Sequence, residues 1–188
     1  MNKTLFSRII KESIPALVVA AILGLIAGAA MQFNFEIWTA LPIFLMLVPP
    51  LNDLGNDLSC IVSSRISTLL ALGIIEPSLK MNEALKENII SISIVGFVAS
   101  IYLGIINHTI AESAGVKTIS IWSFMAICVI AIVLLTLMVT FISIGVAFVS
   151  WRRGLDPDNI TIPICTSISD VLGIFCLLIA INVMSIIT

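Results

Sequence analysis

The sequence predicts an all-α polytopic membrane protein of five transmembrane helices, and three observations predict it. Of 188 residues, 60% are hydrophobic and 11% charged, where a soluble domain carries about a quarter charged residues. The apolar residues come in runs long enough to cross a hydrocarbon core, which takes about 20 residues of helix. The lysines and arginines lie in the connections and almost all fall on one side.

The first span covers residues 14–33 and is read as a retained helix, because no small-residue cleavage site followed by a soluble domain is present. Residues 1–13 form a short cytoplasmic segment before it, and a short loop at 34–36 closes it. The second span begins near Trp38, an aromatic suited to the interface, and runs on to about residue 73. That stretch is too long for one ~30 Å crossing at ~1.5 Å per residue. Pro49-Pro50 is expected to interrupt it, since proline removes a backbone donor and clashes with the preceding turn. After a polar stretch at 76–88, a third span runs from 89 to about 106. A loop with His108, Glu112, Gly115 and Lys117 leads to a fourth span at about 122–149, which ends at Trp151-Arg152-Arg153. The fifth, about 160–187, is opened by Asp156-Pro157-Asp158-Asn159, which is helix-start chemistry.

Lys3, Arg8, Lys11, Arg65, Lys80, Lys86, Arg152 and Arg153 fall on one side of this arrangement and Lys117 on the other. The N-terminus is therefore expected in the cytoplasm and the C-terminus outside. Residues 1–188 read as a single transmembrane domain, without internal repeat or soluble regulatory domain. No basic patch suits nucleic acid. Cys60, Cys128, Cys165 and Cys176 are scattered through apolar segments without CxxC spacing, so they read as packing residues. No serine and histidine pair suited to hydrolysis lies within the spans, and the chain is not read as an enzyme.

Two places break the apolar pattern, and an ionised group at mid-membrane costs at least ~2.5 kcal/mol on insertion scales. The first is Pro49-Pro50-Leu51-Asn52-Asp53-Leu54-Gly55-Asn56-Asp57. Asp53 and Asp57 are four apart and share a helix face that Ser64 and Thr68 continue. The alternative is a mere kink with the aspartates paired to Arg65. Arg65 lies two turns, or ~12 Å, beyond Asp57, so another helix would have to intervene. The second place is Asp170, about ten residues into the last span, with no basic residue in that helix. Thr166 stands one turn before it, and Pro163 leaves the preceding carbonyls short of one donor. Carboxylate, hydroxyl and carbonyl oxygens on one face are hard ligands of the kind magnesium and calcium take. The alternative is a protonated Asp170 hydrogen-bonded across helices.

Other features have plainer readings. Ala16, Ala20, Gly24 and Gly28 form a small-residue stripe for helix packing within or between protomers. His108, in an external loop beside Glu112, reads as a surface residue. Asp156 and Asp158 either cap the last helix or draw cations to the cytosolic mouth.

Two blocks resemble the MgtE-type magnesium transporters, and more closely the solute carrier family 41 branch. The first is Leu51-Asn52-Asp53-Leu54-Gly55-Asn56-Asp57-Leu58 continuing into Ser63-Ser64-Arg65-Ile66-Ser67-Thr68. The second is Asp156-Pro157-Asp158-Asn159-Ile160-Thr161-Ile162-Pro163 followed by Ser169-Asp170-Val171-Leu172-Gly173. The resemblance implies a homodimer of five-helix protomers, with a cation path around the two-fold axis. Asp170 is then the residue that binds hydrated Mg2+, the transported ion, helped by Thr166 and the backbone oxygen of Ile162. Asp53 and Asp57 add charge to the path, which Asn52, Gly55, Asn56, Ser64, Thr68 and Ser169 line. Two points depart from the family pattern: Ile162 stands where MgtE proteins have asparagine, and Asp57 where the family has an apolar residue.

The expected function is divalent cation transport, Mg2+ above all, across the cell membrane. Its competitors are a sodium-coupled exchanger and, from another class, a non-transporting membrane scaffold whose aspartates bind partner arginines.

Overall fold

The structure is a computed structural model that describes residues 3–78 and 81–187, with side-chain surroundings for 10, 11, 13–78, 81–156 and 160–185. Its described residues form six helices: α1 (Lys3–Phe33), α2 (Phe35–Ala40), α3 (Pro42–Ala71), α4 (Glu83–Ser113), α5 (Ile121–Arg152) and α6 (Pro157–Ile187). Four of them contain stretches long and apolar enough to cross a membrane, at Ser13–Phe33, Glu83–Ser113, Ile121–Arg152 and Ile160–Ser185. α3 is as long as these, with 30 residues or roughly 45 Å. It stands apart in composition because Asn52, Asp53, Asn56 and Asp57 occupy its middle.

α5 is the central post. It touches α3, α4 and α6, and Phe124, Cys128, Ala131, Ile132, Leu135 and Ala147 on it are fully buried. The apolar residues run nearly all round it, as suits a helix enclosed by others. α1 packs on α6 and buries Ala16, Ala27 and Ala30. Gly24 and Gly28 have no atom within 4 Å of a Cβ position, so that half of the small-residue stripe does not pack within the protomer. The helix also starts well before residue 14, so the proposed N-terminal segment is its first turns.

The expected interruption at Pro49-Pro50 is corrected: α3 runs through both prolines. Pro50 cannot donate to the carbonyl four residues back, that of Met46. Asn107 on α4 supplies the missing donor, its Nδ2 lying 3.2 Å from Met46 O. The break falls instead at Leu41, whose φ of −133° and ψ of 84° are extended. A residue before proline is pushed out of the helical region, and Pro42 has the fixed φ that suits a first helical position. The turn at Asn34 is correspondingly brief, and Trp38 sits on the short α2. Trp38 is 3% exposed and donates its indole N–H to Met31 O at 3.0 Å, so it seals the α1 end inside the protein.

The reading of His108 as a surface loop residue is also corrected. α4 continues to Ser113 and carries His108 into the interior at 3% exposure. Its Nε2 lies 2.9 Å from Ile119 O, and its ring is 5.7 Å from that of Phe124. Nδ1 is 3.8 Å from Glu112. The packing role expected of the cysteines holds for Cys128, Cys165 and Cys176, which are buried; Cys60 is half-buried.

Candidate functional site where α3 crosses α6

α3 and α6 run in opposite directions and approach closely because small residues face each other. A Cβ on Gly55 would collide with Ser169 Oγ and Leu135 Cδ2, and one on Gly173 would collide with Asn52 Oδ1. Small residues of this kind let helix backbones meet. Asn56 Nδ2 lies between them and donates to Asp170 Oδ1 at 3.1 Å. Five of the expected residues, Asn52, Gly55, Asn56, Ser169 and Asp170, therefore meet at one crossing, although more than a hundred residues separate them along the chain.

The crossing is rich in acceptors without donors. Asn52 Oδ1, Asn56 Oδ1 and Ser169 Oγ are buried and have no hydrogen-bond partner. Each such group costs about 1–3 kcal/mol when left unmade, and native proteins leave few of them without a reason. With the Asp170 carboxylate they make a set of hard oxygens, the donor type that divalent cations and their water shells take. Among the described residues no three His, Cys, Asp or Glu side chains gather to hold a metal ion. One protomer thus offers one carboxylate ringed by neutral oxygens.

The remaining expected residues lie outside this crossing. Asp53 and Asp57 are exposed on the outer face of α3, and Ser64 and Thr68 continue that face. Thr166 is half-buried, and its hydroxyl donates to Ile162 O at 3.0 Å and lies 3.2 Å from Pro163 O. The Ile162 carbonyl is therefore already engaged by Thr166. Asp156 immediately precedes α6, and the side chain of Asp158 lies outside the described residues. Lys80 lies outside them as well.

Sequence reading missed Asn107, the amide that mends α3. Its signal was an isolated amide at the end of an apolar run, next to a histidine. It also missed Gly173 as a site residue, since nothing local marks it as the residue beneath Asn52.

A helical bundle with apolar outer faces and a carboxylate-bearing polar crossing defines a polytopic membrane protein. Residues 48–180 match the MgtE family, described as divalent cation transporters. The chain belongs to that family. It is 28% identical over 163 residues to solute carrier family 41 member 3 of Rattus norvegicus, covering 80% of this chain and 34% of the relative. It is 28% identical over 159 residues to solute carrier family 41 member 2 of Xenopus laevis, covering 74% of this chain and 27% of the relative. The chain thus spans about a third or less of the curated relatives it matches. No solved structure matches it. Both sequence blocks that meet at the crossing reach into the matched region.

Proposed function

We propose that this chain moves a divalent cation, Mg2+ above all, across the cell membrane along the seam of α3 and α6, with a second copy completing the path across a two-fold axis. The observation that carries this reading is the Asn56–Asp170 bond with three unpartnered oxygens around it. A transported ion that keeps most of its water needs acceptors for that water rather than a closed cage, and Mg2+ dehydrates reluctantly.

α3 serves as a fifth span in this reading. It packs against α4, α5 and α6 along its length, and its polar middle is its share of the path. Asp53 and Asp57 lie on the protomer's outer face, where contact with lipid would cost at least ~2.5 kcal/mol each. Water in a path between two copies removes that cost. The two-fold arrangement also brings two Asp170 carboxylates toward one axis, where a cation offsets their repulsion. Arg152, which donates to Pro77 O, brings the α5 end beside the α3–α4 connection. The basic residues there make that end the cytoplasmic one.

The test is Mg2+ uptake into proteoliposomes holding the purified chain alone, with a sodium gradient imposed or removed. Wild-type uptake that Asp170→Asn lowers to the level of empty vesicles is expected. Uptake that needs the gradient would make the protein an exchanger and leave the site standing. Absence of flux from the wild type, or full flux in Asp170→Asn, would overturn the proposal.

A further inference from the structure

A second polar site lies away from the crossing. Between α3 and α4, near the ends that their connection joins, a cavity of about 390 Å³ is lined by Ser64, Arg65, Thr68, Leu69 and Asn88. Arg65 is exposed, and its Nη1 donates to Asn88 Oδ1 at 3.3 Å. Among the described residues no carboxylate pairs with it. One long bond to a neutral amide occupies one of five guanidinium N–H groups, and the rest of the planar fork is open. The Ser64 hydroxyl makes no hydrogen bond among the described residues. The Thr68 hydroxyl donates to Ser64 O at 2.8 Å.

The depth of this cavity is set by helix length. Centred on a ~30 Å hydrocarbon core as the fifth span proposed above, α3 at roughly 45 Å would extend about 7 Å beyond each face. Arg65 lies six residues, or ~9 Å, before the end of α3 at Ala71, and Asn88 five residues, or ~7.5 Å, after the start of α4 at Glu83. Both therefore stand where headgroups meet acyl chains. Ile61 stands one turn before Arg65 and Leu72 one turn after Thr68, and both are exposed. The cavity thus has a cationic fork and a hydroxyl donor at headgroup depth, beside an apolar surface.

We propose that this cavity binds the phosphate of an anionic phospholipid headgroup. Arg65 would take the two non-bridging phosphate oxygens, one of which would also accept from the Ser64 hydroxyl, since arginine and phosphate match in fork geometry. The acyl chains would lie along Ile61. Binding would tie α3 to α4 at the end of the helix that carries Asn52, Asn56 and both outer aspartates. The site rests on the proposed fifth span and shares the outer face of α3 with Asp53 and Asp57, but it is measured as binding without flux, so its failure and that of the transport reading are distinguishable.

The experiment uses the purified full chain in neutral detergent. Short-chain phosphatidylglycerol, phosphatidylcholine and inorganic phosphate are titrated in parallel, and bound lipid is counted by native mass spectrometry. Phosphatidylglycerol should bind about tenfold more tightly than phosphatidylcholine, and Arg65→Gln should erase that preference, as loss of a charge-assisted pair implies. Arg65→Lys should keep part of it. If Arg65→Gln does not fold, Ser64→Ala, which leaves the guanidinium in place, should weaken phosphatidylglycerol severalfold. Equal binding of the two lipids, an unchanged preference in the folded variants, or displacement of the lipid by equimolar inorganic phosphate would overturn the proposal.

Discussion

Among the polar groups that interrupt the apolar bundle, those on α4 and those at the α3–α6 crossing are built to opposite ends. At the α4 insertion, Asn107 and His108 spend their nitrogens on backbone carbonyls, those of Met46 and Ile119. Asn107 Oδ1 is the one acceptor left over there. At the α3–α6 crossing the amide of Asn56 goes to a carboxylate, and three oxygens remain unpartnered beside it. The first insertion repairs the backbone; the second holds back acceptor capacity. Asn107 and His108 are buried while Asn56 and Asp170 are half-buried, but the telling difference lies in what is satisfied. A polar group in a membrane interior is structural when its partner is the chain itself. It is a candidate site when its partners must come from elsewhere.

Gly55→Val should give the largest effect, because it strikes the crossing and the core together. Its side chain would meet Ser169 and Leu135, and overpacking of this kind costs about 1–3 kcal/mol. Flux should be lost along with a fall in melting temperature; unchanged flux would mean that the close approach of α3 and α6 does not matter. Asn56→Leu should separate the two properties. It leaves Asp170 without its cross-helix donor, so uptake per folded molecule should fall about tenfold, equivalent to roughly 1.4 kcal/mol. Asn107→Leu should do the reverse, with stability lower by about 1–3 kcal/mol through the unmet Met46 carbonyl and uptake per folded molecule nearly unchanged. A larger flux loss in Asn107→Leu than in Asn56→Leu would invert the comparison.

Much of the crossing was legible in the sequence. A carboxylate without a counter-charge in an apolar run marks Asp170, and the Asn52 to Asp57 stretch interrupts the apolar pattern of α3 in the same way. The long helices follow from apolar runs, but the break at Leu41 before Pro42 and the Asn82 cap on Leu85 N–H were not read from them. What sequence could not show is where one helix mends another. Pro49-Pro50 reads locally as a break, and only the fold reveals that Asn107, about sixty residues away, restores the lost donor. His108 was misplaced for a related reason: nothing in its neighbours says that α4 continues past residue 106 and that the Ile119 carbonyl waits for it. The pairing of Asn52 with Gly173 is equally non-local.

The most direct test of the central claim is the effect of Mg2+ on thermal unfolding of the purified chain, for wild type beside Asp170→Asn. A ligand that binds only the folded state stabilises it by about 2.7 kcal/mol at a hundred times its Kd. The account predicts a melting temperature that rises with Mg2+ in the wild type and stays flat in Asp170→Asn, with both proteins folded in its absence. An equal Mg2+-dependent rise in the two proteins would contradict it.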